Sequence, residues 1–266
     1  MRRWLLRAAL SNLLFLFFLW LYGPGELFSG GKERLFLTLY GNCASLSEWY
    51  FLNNLIFCIL PLLLYIYVFS SYFAQDFKTS FVYVFTRSGS RSRWLEKRVA
   101  SLFLEVGGAV LFLLAVSYIY ASFQQGEWRV PLYAVASVWL NSMFTLLPLL
   151  LLANVFSLWW GELYGFLLAF ALHILSFLAG TALASVEGVN TAVFLLLPTL
   201  NGMGLLRGDT ELTSVIFPLA GEIQTIPGFE LWKSLLVCVV ECGLIGFLAA
   251  RKLRRCDLLS VGKEGR

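Results

Sequence analysis

Residues 85–122 read FTRSGSRSRWLEKRVASLFLEVGGAVLFLLAVSYIYAS, and two kinds of chain meet inside them. The first fourteen positions carry five positive charges, Arg87, Arg91, Arg93, Lys97 and Arg98. The rest, 99–122, holds one charged residue, Glu105. About 20 mostly apolar residues suffice to cross a bilayer as a helix. The second half therefore reads as a membrane span, and the first as a basic loop leading into it.

The whole chain repeats that contrast. Of 266 residues, 59% are hydrophobic, 17% aromatic and only 14% charged, whereas a soluble domain carries about a quarter charged residues. Besides 99–122, five more segments have spanning length and composition: 5–22, 51–73, 131–156, 163–185 and 231–250. No Pro/Gly/Ser linker or low-complexity block divides them. The expected fold is thus an all-α integral membrane protein, one transmembrane domain over 1–266 with six transmembrane helices.

Six spans place both termini on one side. That side receives 15 of the 20 basic residues: Arg2, Arg3 and Arg7, the cations of the 74–98 loop, and the tail group from Arg251 to Arg266. The other side receives Lys32, Arg34, Arg129, Arg207 and Lys233, with nine carboxylates. Loops rich in Lys and Arg stay in the cytoplasm, so N- and C-termini are expected to be cytoplasmic, in a cell inner (plasma) membrane protein. The opening MRRWLLRAALSNLLFLFFLW lacks a small-residue cleavage site after its apolar run, which ends in WLYGPGE. It reads as a retained helix with Trp4 at the interface.

Between the fifth and sixth spans, 186–230 holds two apolar pieces, TAVFLLLPTL and LTSVIFPLAG. Each is about ten residues, too short to cross, and Pro198, Asn201, Gly202 and Gly204 interrupt them. If 189–206 crossed, the basic tail would face outward, against the charge distribution. Two short re-entrant helices on the outer side are the expectation.

Familiar chemistry is missing. There is no G-x-x-x-x-G-K-[ST] phosphate loop, no H-E-x-x-H zinc motif and no G-x-S-x-G elbow. The single histidine, His173, lies within the fifth span and reads as a packed helix residue. Of Cys43, Cys58, Cys238, Cys242 and Cys256, only Cys43 lies clearly outside, and Cys238 and Cys242 are too far apart for a C-x-x-C motif. No metal centre, bound cofactor or nucleic-acid partner is expected.

Two carboxylates stand out because ionisable groups at membrane depth cost a few kcal/mol unless they meet a partner or a cavity. Glu105 lies near the cytoplasmic edge of its span, within reach of Lys97, Arg98 or water. Glu241 lies midway along the last span, where a polar partner such as His173 or a substrate route would be needed. Pro61 and Pro148 interrupt the second and fourth spans. The glycine pair 107–108 allows another helix to come close.

The 74–98 loop reads as a short amphipathic helix, a Ser-Gly turn and a helix start at RSRWLEKRV, with Trp94 as an interfacial anchor. Enforcing topology and binding anionic lipid would explain its charge but not that arrangement. At this point the chain resembles the permease subunits of type-2 ATP-binding-cassette exporters. Their loop between the second and third helices carries an R-x-G-S-x-x-x-W-L-like signature, matched by Arg87, Gly89, Ser90, Trp94 and Leu95. The six spans, the short outer helices before the last one, and the tail ARKLRRCD ending near Asp257 are also similar.

The resemblance implies that 74–98 is a coupling helix docking a separate ABC ATPase subunit, with Arg87, Ser88, Gly89, Ser90, Arg91, Arg93 and Trp94 as its coupling residues. ATP and Mg would then be bound by that partner, not by this chain. It further implies a second permease subunit, identical or paralogous, and an amphiphilic peptide, drug or lipid as cargo. Two alternatives stay open on the residues alone. One is a polytopic membrane enzyme built on Glu105, His173 and Glu241; the other is a proton-coupled carrier using Glu241, although such carriers often show an internal repeat that is absent here.

Overall fold

The computed structural model describes residues 62–76, 91–125, 132–184 and 230–255, with isolated positions among the first 17 residues and at 193 and 196. All regular structure among them is helical. Four long helices follow in order: α1 (Arg91–Gln125), α2 (Leu132–Trp160), α3 (Glu162–Ala184) and α4 (Leu231–Arg255). Before them, 62–69 and 72–76 are helical, joined by a turn at Ser70 and Ser71.

Three of these helices are long and apolar enough to cross a membrane, over Arg91–Val116, Val135–Trp160 and Trp232–Leu253; Glu162–Ser176 is a shorter apolar helix. The expected third span is part of a longer element. The basic helix start and the apolar run form one continuous α1 of 35 residues, so Arg91, Arg93, Lys97 and Arg98 sit on the same rod as the span. The last span likewise continues five residues beyond its expected end, through the basic cluster to Arg255.

Helix α2 is the centre, packing against α1, α3 and α4. Its pairing with α1 is antiparallel. The Trp139 indole N–H donates to the Gly107 carbonyl at 2.9 Å, and the Phe103 and Phe144 rings meet edge to face. Of the two glycines expected to admit a neighbour, Gly107 does so. A Cβ there would lie 2.8 Å from Met143 Sδ, whereas Gly108 faces open space.

A single residue, Gly161, separates α2 from α3. Its φ of +103° is a left-handed conformation that glycine adopts without a Cβ penalty. Its N–H donates to the Ser157 carbonyl. One turn later Gly165 lets α3 lie directly on α2, since a Cβ there would meet the Ala153 carbonyl oxygen at 2.4 Å.

Helices α2 and α4 run parallel. Ser234 Oγ lies 3.4 Å from Asn141 Oδ1 near one end, and Lys252 Nζ sits over the Trp159 ring near the other. Both pairs are 93 positions apart, so one register holds over 18 residues, about 27 Å of helix. Helix α3 therefore ends at the end of the bundle where α4 begins.

The core is apolar and continuous. Leu102, Val106, Val110 and Leu113 of α1 pack with Leu146, Leu150 and Ala153 of α2 and with Ile66, Phe69 and Phe73. Burying each such side chain contributes about 1.5–3 kcal/mol in water. Between helices inside a bilayer that driving force disappears, and close packing with hydrogen bonds carries association instead. Hence the weight of the interior polar contacts. Asn12 Nδ2 donates to the Ala109 carbonyl at 3.2 Å, and Tyr65 Oη bonds Asn12 Oδ1 at 2.9 Å.

Helix α4 is the least covered. Leu236, Val240, Leu244, Phe247 and Leu248 are all exposed, while Ser234, Cys238, Ala249 and Leu253 turn inward. Cys238 and Cys242 are not in a disulfide.

Candidate functional site

The basic loop's two flanks meet at one end of the bundle. Asp76 is the last described residue of its first flank, and Arg91 opens the helix of its second. The Trp94 indole N–H donates to Asp76 Oδ2 at 3.1 Å, and Arg98 Nη2 forms an ion pair with Asp76 Oδ1 at 2.6 Å. One carboxylate thus ties both sides of the loop together. The pairing is charge-assisted and partly shielded from water, which makes it stronger than a surface ion pair.

Arg91 reaches a different element. Its Nη1 donates to the Leu253 carbonyl of α4 at 2.9 Å, supplying one of the donors that the last turn of a helix lacks. The same end holds Lys252 of α4, whose ammonium lies 3.7 Å from the Trp159 ring centroid and 5.3 Å from that of Trp160. The loop's exit therefore contacts the 62–76 stretch and α4, and α4 in turn contacts α2.

The Trp94 side chain is buried in the bundle. It is 6% exposed, in the same apolar cluster as Phe73, with the two rings 6.2 Å apart edge to face. A large ring with one donor sinks into a core when an acceptor such as Asp76 meets the N–H. Arg93, by contrast, is exposed. Arg87, Ser88, Gly89 and Ser90 lie outside the described residues, as do both expected re-entrant helices.

Glu105 is 3% exposed. Its Oε1 accepts from Tyr72 Oη at 2.8 Å and from Ser101 Oγ at 3.2 Å, and the two hydroxyls are 2.8 Å apart. Its bonding partners are thus hydroxyls, not Lys97 or Arg98. Its second oxygen, Oε2, is buried without a hydrogen bond. Glu241 is half-buried on α4 and its Oε2 also lacks a partner. His173 is buried on α3. The three polar candidates stand on three helices, and neither His173 nor Glu241 is among the partners of Glu105.

Two residues important to this arrangement escape a sequence reading. Asp76 carries no motif, and only its place at the loop's start hints at a role. Asn154 inserts its amide beside the Ser70–Ser71 turn, accepting from the Phe73 N–H at 2.8 Å and donating to the Phe69 carbonyl at 2.7 Å. A serine pair inside an apolar run is a known site of helix breaks, and YVFSSYF held that signal.

Among the described residues, no group of three or more His, Cys, Asp or Glu could hold a metal ion. What the structure defines is an all-helical chain with three helices long and apolar enough to cross a membrane, in which Asp76 is tied to Trp94 and Arg98 at one end of the bundle. By sequence the chain belongs to the DUF2705 family, described as a protein of unknown function, whose model matches residues 26–259. No curated protein matches it, and no solved structure does.

Proposed function

We propose that this protein is the membrane-spanning permease subunit of a bacterial ABC transporter, exporting an amphiphilic peptide, drug or lipid. In this reading it has six spans, cytoplasmic termini and two re-entrant outer helices, and it sits in the cell membrane. A separate ATPase subunit docks on the 74–98 loop and binds ATP and Mg; a second permease subunit completes the pathway.

The observation that carries the reading is the double tie of Asp76 to Trp94 and Arg98. A loop whose flanks are joined at its base cannot flex independently of its helices. A push on it reaches the 62–76 stretch and the 35-residue rod of α1 together, and through Arg91 it reaches α4. A loop serving only to set orientation needs no such base.

The test is affinity purification of the tagged protein from its native membrane. Recovery of a stoichiometric ABC ATPase, lost when Arg91 and Arg93 are both replaced by Gln, supports the reading. Purification without any ATPase under conditions that keep the bundle folded sinks it.

A further inference from the structure

The end of α4 carries a feature the transport reading leaves unused. Lys252 is exposed, yet its ammonium is not adrift, because the faces of Trp159 and Trp160 hold it. Those rings are themselves fixed, 5.9 Å apart and edge to face, with Phe156 packed 4.5 Å from Trp160 and 5.9 Å from Trp159. A cation over tryptophan faces is attracted by the ring quadrupole. Arg251 beside it is also exposed. Among the described residues, neither cation forms an ion pair with a carboxylate, unlike Arg98 with Asp76 and Lys233 with Glu230. One oriented positive charge, with a second beside it, therefore stands at the helix end without a carboxylate partner among the described residues.

What lies next to them identifies the anion. Four, eight, twelve and sixteen residues back from Lys252 come Leu248, Leu244, Val240 and Leu236, each more than half exposed. Positions four apart form one ridge on a helix surface. This ridge winds around α4 as it runs about 24 Å from the ammonium toward the other end of the helix. An apolar ridge of that length ending in a held cation, with the half-exposed Trp160 at the boundary, matches a molecule with a phosphate head and a long hydrocarbon tail. A protein partner's acidic surface would match the cations but not the ridge.

We infer that the α2–α4 end is a binding site for one anionic phospholipid, its phosphate on Lys252 and Arg251 and an acyl chain along Leu248, Leu244, Val240 and Leu236. The tryptophan pair positions the lysine, so the headgroup meets a fixed charge instead of ordering a flexible one. The site requires only that this end lie at a membrane surface, and it does not depend on the transport reading.

The test is native mass spectrometry of the delipidated full-length protein in detergent, titrated with phosphatidylglycerol or phosphatidylcholine. One phosphatidylglycerol should be retained in clear preference to phosphatidylcholine. Arg251→Gln with Lys252→Gln should weaken that retention about tenfold. Trp159→Phe with Trp160→Leu should weaken it less while keeping both charges. Lys233→Gln, a cation at the opposite end, should leave it unchanged and controls for general loss of charge. Equal retention of the two lipids, or an undiminished preference in the Arg251/Lys252 variant, overturns the proposal. So would competition by glycerol phosphate as effective as by the lipid, because a free phosphate would then be the ligand. Loss of a bound protein subunit with lipid retention intact would assign these charges to a protein partner and also overturn it.

Discussion

The side-chain amide of Asn154 stands between the Phe69 carbonyl and the Phe73 N–H, the two groups an uninterrupted helix would join directly. A third bond, to the Leu150 carbonyl at 2.8 Å, fixes its orientation on α2. Inside a bilayer no water can take over freed backbone groups, so the break at Ser70–Ser71 is tolerable because another helix supplies the missing donor and acceptor. Asn154→Leu should leave both groups unsatisfied and destabilise the protein by about 2–4 kcal/mol. Thermal unfolding in detergent, followed by circular dichroism, reads the loss. An unchanged midpoint would show that the break closes by itself.

Glycine substitutions should divide by location. Gly165→Ala drives a methyl into the Ala153 carbonyl and forces α2 and α3 apart, at a cost of about 1–3 kcal/mol. Gly161→Ala puts a Cβ on a left-handed residue and costs about 1–2 kcal/mol. Gly243→Ala and Gly246→Ala meet nothing within 4 Å and should be neutral or slightly stabilising, since alanine is the better helix former. The same unfolding assay ranks all four.

At the loop base, stability and partner binding should separate. Trp94→Phe keeps most of the packing on Phe73 but removes the bond to Asp76, and should lower stability by about 1 kcal/mol. Arg93→Gln, on an exposed residue, should leave stability within about 0.5 kcal/mol of wild type. Pull-down of the ATPase should nevertheless fall with Arg93→Gln. If both variants lose stability equally, the distinction between a structural and a docking face of this helix start fails.

The two intramembrane carboxylates should differ just as clearly. Glu105→Leu removes the carboxylate that accepts from Tyr72 and Ser101, leaving only the bond between the two hydroxyls, and should destabilise by about 1–3 kcal/mol, while Glu105→Gln, which keeps an acceptor oxygen, should cost less. Glu241→Leu breaks no hydrogen bond among the described residues and should leave folding intact or improve it. Transport assays then have a clean subject in Glu241. Its loss of activity with full stability would mark a role in the pathway, and full activity would make it a passenger.

Glu230 provides the pH dependence. A hydrogen bond from Lys233, helped by one from the Trp232 indole, holds its carboxyl below the usual glutamate range. The group is depressed on folding, so its contribution is present above the ordinary glutamate value and lost as pH falls through the lower folded value. Trp232 fluorescence should accordingly titrate at a lower pH than a free glutamate would dictate. Lys233→Met should move that transition upward; no movement would deny the lysine's role.

Much of this architecture is legible in the residues. Hydropathy alone places α2, α3 and α4 within a few positions of where they lie, because a helix in lipid has to be apolar along its length. The serine pair at 70–71 was visible too, but its meaning was not, since the compensating amide comes from Asn154, over 80 positions away. Trp94 is half legible for a related reason. Trp among cations reads as an interfacial anchor, and only the structure adds its acceptor at Asp76. Gly161 and Gly165 sit in plain view in WWGELYG, yet the close approach they permit is a property of two helices, not of one string.

The parallel pairing of α2 and α4 has a further consequence for how the bundle can move. A slide of α4 by one turn would bring Leu248 to the tryptophan pair in place of Lys252, and would carry Ser234 away from Asn141 at the far end. Intermediate shifts lose the cation–ring contact and the polar contact while gaining neither back. α4 is thus keyed to α2 at two points: tilting or swinging as one body with its neighbour keeps both, while translation along the axis costs both. A movement that carries the two helices together keeps both contacts, whereas sliding one past the other gives up both.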